Sequence, residues 1–127
     1  MDYRLELVAV PVSDVDRAKE FYVDQAGFNA DHDTQISDTM RVVQLTPRGS
    51  ACSIVIGTGL TDMAPGSIDG LQLVTTDMDA ARAELVEGGV DVSEVVELGR
   101  PGGDTKFKFA NFNDPDGNAW ILQEIPS

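Results

Sequence analysis

The 127-residue chain carries 22 acidic and 9 basic side chains, a formal charge of −13, which repels phosphate backbones and anionic lipid and argues against nucleic-acid and membrane partners. No stretch approaches the roughly 18 apolar residues of a membrane helix, and "MDYRLELVAV" lacks the features of a secretion signal, so a cytoplasmic location is expected. A single cysteine, Cys52, excludes an internal disulfide and any multi-cysteine metal site, and the length suffices for a core without such staples.

Residues 5–12, "LELVAVPV", are rich in β-branched side chains and alternate loosely, which predicts a strand. A helix follows. Ser13 or Asp14 can cap it, Asp16 lies in its first turn, and Val15, Ala18, Phe21, Tyr22 and Ala26 recur at helical spacing before Gly27 stops it. Strands are expected at 28–33, 40–46 and 51–56, the last two separated by the turn "TPRGS". Residues 57–70, with four glycines and a proline, read as a linker. The pattern then recurs: "LQLVTT" as a strand, "DMDAARAELVEGG" as a helix, and strands at about 91–97, 106–112 and 119–125.

Asp77, Asp79 and Ala81 repeat Asp14, Asp16 and Ala18 at a constant offset of 63 residues, with Arg82 matching Lys19 and Val86 matching Val23. The chain therefore reads as a duplicated strand–helix–three-strand unit: module one over 1–56, linker over 57–69, module two over 70–127. Many strands with only two helices imply an α+β fold whose sheets are covered on one face. The uncovered faces must curl round a ligand or meet another subunit.

"VAVPVSDVDRAKEFYVDQAGF", "LQLVTTDMDAARAEL" and "FNDPDGNAWILQEI", in that order, resemble the vicinal oxygen chelate superfamily, which includes glyoxalase I, extradiol dioxygenases and the fosfomycin- and bleomycin-resistance proteins. The resemblance implies two tandem βαβββ modules forming a curled mixed β-sheet with an internal cavity, and a homodimer whose pockets form where modules of both chains meet. In metal-dependent members four strands converge His, Glu or Gln ligands. Counting from Asp14, Asp77 and Asp114, the matching positions here are Leu7, Gly70 and Ile121, and the fourth strand offers only "ACSIVI". None of these ligates a divalent ion. Glu6 and Glu124 neighbour ligand positions, but strand alternation points them away. His32, the one histidine, reads as a surface residue. No metal or other cofactor is expected.

Alternation also nominates the cavity lining. Leu7 and Ala9 share a side of the first strand, Gly70, Gln72 and Val74 of the first strand of module two, and Ala119, Ile121 and Gln123 of the last. Trp120 and Leu122 fall to the core. In "KFKFANF", Phe107 and Phe109 alternate with Lys106 and Lys108. The plainer reading buries the phenylalanines in the core, whereas on the cavity side they would offer stacking surfaces. Arg41 and Gln44 are further rim or cavity candidates of undetermined phase. Glycine-rich "GRPGGD", 99–104, is expected to form a loop over the cavity mouth.

A mostly apolar concavity with two amides suits an uncharged, flat or aromatic ligand. The expected function is metal-independent small-molecule binding of the bleomycin-resistance type, sequestering an aromatic or antibiotic-like compound. The alternative is a lyase, isomerase or dioxygenase-type enzyme of the same superfamily acting on a small metabolite. Cys52 has no base beside it, so nucleophilic catalysis finds no support.

Overall fold

The computed structural model describes residues 1–99 and 106–125; the loop expected at 99–104 lies, beyond Gly99, outside the described residues. Module one comprises β1 (Leu7–Ala9), α1 (Val15–Glu20), β2 (Asn29–Ser37), β3 (Met40–Thr46) and β4 (Ser53–Thr58). Module two repeats the order with β5 (Leu71–Thr75), α2 (Met78–Glu87), β6 (Val96–Gly99), β7 (Lys106–Asn113) and β8 (Ala119–Glu124).

Both helices start as their sequences dictate. The Asp14 carboxylate accepts from Arg17 N at 3.1 Å, and Asp77 accepts from Ala80 N at 3.1 Å, each satisfying a backbone donor that no helical carbonyl can reach. After Glu20, α1 widens into a π-helical turn over Phe21–Gln25, which turns Phe21 and Tyr22 into the interior. Where α2 ends, Gly88 meets module one: a Cβ there would stand 2.2 Å from the carbonyl oxygen of Gln25. Only glycine permits that approach.

Each module forms one four-stranded sheet, β1-β4-β3-β2 and β5-β8-β7-β6. In both, the first strand pairs in parallel with the fourth and the other pairs are antiparallel. The registers make the duplication concrete. Val8 opposes Ile54 and Leu45 opposes Ile54 in module one, while Leu71 and Phe112 oppose Trp120 in module two. Ile54 therefore corresponds to Trp120, Val55 to Ile121, and Gln44 to Asn111.

One face of each sheet contributes to a single shared core. Val10, Val43, Leu45, Ile54 and Ile56 join Ala110, Phe112, Trp120 and Leu122, with Ala18, Phe21 and Tyr22 from the first helix and Met78 and Leu85 from the second. Phe112 stacks on Trp120 with centroids 6.0 Å apart, and Tyr22 meets Trp120 edge-on at 5.8 Å.

The turn between β7 and β8 clasps the modules. Buried Asp114 accepts from Tyr22 Oη at 2.7 Å, Asn118 Nδ2 at 2.8 Å, Asn118 N at 2.9 Å and Asp116 N at 3.0 Å. Asn118 also donates to the Pro11 carbonyl at 2.8 Å, and Trp120 Nε1 donates to Tyr22 Oη at 3.0 Å. Burial first, and the Asp114 charge second, push the Tyr22 hydroxyl far above the usual tyrosine range. Gly117, at φ 97°, takes the left-handed conformation the turn requires.

Several boundaries differ from expectation: β1 is confined to Leu7–Ala9, and β2 runs on from residue 33 to Ser37. The sixth strand begins at Val96, not near 91, because Val90 and Val92 sink into the core and Arg82 holds the connection by donating to the Ser93 and Val92 carbonyls at 2.9 and 3.3 Å. β4 runs two residues past 56, through Gly57, whose missing side chain admits the Arg41 carbonyl. No helix among the described residues is long and apolar enough to cross a membrane.

Candidate functional site

The face of each sheet opposite the core is open. On sheet two it is built from alternate residues of four strands: Gln72 and Val74, Val96 and Leu98, Phe107, Phe109 and Asn111, and Ala119, Ile121 and Gln123. Their common side follows from the register, in which Phe109 opposes both Val96 and Gln123, Asn111 opposes Ile121, and Phe107 opposes Leu98. Val96, Phe109, Asn111 and Ile121, with Ser93 at one end, line a cavity of about 220 Å³. Gln72 Nε2 donates to Gln123 Oε1 across the β5–β8 pair. No charged side chain stands on this face among the described strand residues, although the whole chain carries −13.

The phase of β7 is thereby decided. Phe107 and Phe109 lie on the open side, half-buried, and the core position falls to Phe112. Lys108 faces the other way, 3.9 Å from Glu124. The hairpin explains it: a five-residue connection pairs Asn113 with Ala119, so a core-facing Trp120 forces Phe112 inward and Phe109 outward. Arg41 is likewise assigned, and not to a cavity. It grips Asp33 through Nε and Nη2 at 3.0 and 2.8 Å and Asp16 at 2.8 Å, with Lys19 adding a 2.8 Å contact to Asp33. These ion pairs tie β2 to α1. The hydrogen bonds from Arg41 and then Lys19 hold the Asp33 carboxyl well below the usual carboxylate range.

The nominated residues do not all come together. Phe109 and Ile121 share the sheet-two cavity, with Phe107 and Gln123 beside them on the same face. Gly70 and Gln72 line a second hollow of about 220 Å³ between β1 and β5, together with Leu5, Cys52 and Ser53. Leu7 and Ala9 stand on sheet one, opposite Ser53 and Val55. Val74 is on the open face of sheet two and 58% exposed. Sequence reasoning missed Val96 and Asn111. The hairpin count from Trp120 places Asn111, whereas Val96 depends on where β6 starts.

The metal positions of the superfamily do not fit an ion here. Leu7, Gly70 and Ile121 have no donor atom in their side chains, and on the open side of β4 the one donor is the Ser53 hydroxyl. A divalent cation needs several oxygen or nitrogen ligands held together. Among the described residues no group of three or more His, Cys, Asp or Glu is placed to hold one. Glu124 is engaged elsewhere, its carboxylate accepting from Met78 N at 3.1 Å at the start of α2.

Comparison with known proteins agrees with this architecture. A search of curated proteins gives no match. Among solved structures, TnmS3, an antibiotic binding protein from Streptomyces sp. CB03234, is 40% identical, with a TM-score of 0.79 over 99% of this chain and 98% of that one. A glyoxalase/bleomycin resistance protein from the same organism is also 40% identical, with a TM-score of 0.75 over 94% and 98% of the two chains. A superfamily member from Sphaerobacter thermophilus DSM 20745 is 31% identical, with a TM-score of 0.79 over 98% of each chain. The family model matches residues 4–122; with its paired βαβββ modules, the chain belongs to the Glyoxalase/Bleomycin resistance protein/Dioxygenase superfamily.

Proposed function

We propose that this chain binds a flat, uncharged small molecule without a metal ion and holds it unchanged, as a sequestering protein does. The observation that carries the reading is the open face of sheet two. Phe109, Ile121 and Val96 surround a cavity with a single amide, Asn111, at its side. Ile121 stands where metal-dependent members place an acid. Apolar and aromatic walls with few polar groups favour a ligand held by burial and oriented by one or two hydrogen bonds. The 40% identity to an antibiotic binding protein, over nearly the whole of both chains, supports ligand binding of this kind.

A cavity of about 220 Å³ is smaller than the roughly 300–1,000 Å³ typical of sites for drug-sized molecules. Val74, Val96 and Leu98 are each more than half exposed on the same face. A second copy of the chain covering that face would enclose the ligand, and we take the working form to be a homodimer, each pocket bounded by modules of both protomers.

The test is native mass spectrometry of the purified protein, followed by extraction and metal analysis. One unmodified aromatic compound per protomer, with no stoichiometric metal and unchanged binding in EDTA, is the expected result. Stoichiometric zinc, nickel, manganese or iron, or catalytic conversion of the bound compound, would overturn the reading.

A further inference from the structure

The open face of sheet one carries a polar row with a built-in direction. A bulge between Ala30 and His32 breaks the β2–β3 register and accompanies a turn of Asp31 onto this face, where its carboxylate accepts from the Thr46 hydroxyl. Bulges commonly re-aim a side chain in this way. Thr46 Oγ1 lies 2.6 Å from Ser53 Oγ, and Gln44 Nε2 lies 3.3 Å from the same serine oxygen. The row thus crosses β2, β3 and β4. Ser53 is only 5% exposed, although it stands on the open side.

Proton counting sets the polarity of the whole row. A carboxylate only accepts, and each hydroxyl has one proton to give. Thr46 gives its proton to Asp31, so Ser53 must donate to Thr46. Ser53 then has none left for Gln44, whose amide must turn an N–H toward Ser53 and its carbonyl oxygen away. The end of an amide that faces a partner is usually ambiguous; here a negative charge two hydroxyls away determines it. Gln44 Oε1 takes no donor among the described residues. Val55 stands beside Gln44 on β4, with Ala9 beyond it on β1, an apolar side to the amide, while His32 pairs with Gln44 from β2.

We propose that Gln44, oriented by Asp31, Thr46 and Ser53, is a specificity-determining residue that selects a flat uncharged ligand carrying a hydroxyl or N–H donor on its edge. The inference rests on the ligand-binding reading above and names the ligand class. Gln44 and Asn111 occupy corresponding places in the two modules, each amide opposite an apolar residue of the module's last strand, Val55 and Ile121.

The test compares 2-naphthol with 2-methoxynaphthalene, which keeps the ring and the acceptor oxygen but cannot donate. Both are titrated against the full-length protein by fluorescence. The wild type should bind 2-naphthol about tenfold more tightly, the worth of one hydrogen bond. In Thr46→Val the Ser53 proton is released, the amide can reverse, and the ratio should fall to about one with 2-methoxynaphthalene affinity retained. Gln44→Leu should also erase the ratio, and it serves if Thr46→Val does not fold. A purely structural row would weaken both compounds alike and leave the ratio intact. An unchanged ratio in the variants, or a wild-type ratio of one, overturns this proposal while leaving ligand binding standing. Failure of the wild type to bind either compound overturns both readings.

Discussion

Replacing Tyr22 with phenylalanine removes one oxygen from a fully buried hydrogen-bond network and leaves the ring. Tyr22 is fully buried, so the change creates almost no cavity and isolates the hydrogen bonds. The hydroxyl serves two partners: it donates to Asp114 at 2.7 Å and accepts from Trp120 Nε1 at 3.0 Å. A hydrogen bond to a charged group contributes about 1.5–3 kcal/mol, and a buried N–H left without an acceptor costs about 1–3 kcal/mol. Asp114 keeps three other donors, which limits its loss to the low end. The expected destabilisation is about 3 kcal/mol, a large share of the roughly 5–15 kcal/mol of a typical domain. For a chain of this length it lowers the thermal midpoint by about 10 °C. Urea unfolding followed by circular dichroism, with m compared between proteins, measures it. In Tyr22→Phe/Trp120→Phe the orphaned indole N–H is gone, so the double variant should cost less than the sum of the singles. A single-variant loss below about 1 kcal/mol, or strict additivity, would refute the account of a shared buried hydroxyl.

Other expectations test different parts of the molecule. Asp33 has a folded pKa depressed by Arg41 and Lys19, so the stability it adds is fully present above its unfolded value of about 3.9 and is lost as pH falls through the folded value. The urea-midpoint advantage of wild type over Asp33→Asn should therefore shrink on acidification below about pH 4, and also in high salt, because the pairs are partly exposed. Gly88→Ala should destabilise by about 1–3 kcal/mol despite the better helix propensity of alanine, since its methyl group meets the Gln25 carbonyl; a neutral or stabilising result in thermal melts would contradict the close approach. Phe109→Ala should weaken 2-naphthol about tenfold at an almost unchanged thermal midpoint, through loss of a half-buried stacking surface.

Much of the architecture was legible locally. Both helix caps, the glycines that stop the helices and the repeated element order follow from interactions within a few residues. The residue types at the superfamily's ligand positions were legible too, because Leu7, Gly70 and Ile121 carry no donor atom in their side chains wherever the strands place them. Strand phase was only partly readable. On β1, β5 and β8 continuous alternation separates core from open side. On β7 aromatic and basic residues alternate on both options, and the correct choice rests on the pairing of Phe112 with Trp120. Arg41 posed the same difficulty until Asp16 and Asp33 were brought beside it.

By itself the sequence determined the class of fold, the duplication and the absence of ligating side chains at the superfamily's positions, because propensity, capping and residue chemistry act at short range. Tertiary structure alone decided the rest. It turned the Asp114 turn into a buried clasp between modules, set the start of β6 by drawing Val90 and Val92 into the core, and left Phe109 on an open face. It also assembled Asp31, Thr46, Ser53 and Gln44, from three strands, into one directed row. The physical reason is register: sliding a strand by one residue exchanges its two faces, and register is set by contacts between residues far apart in the chain.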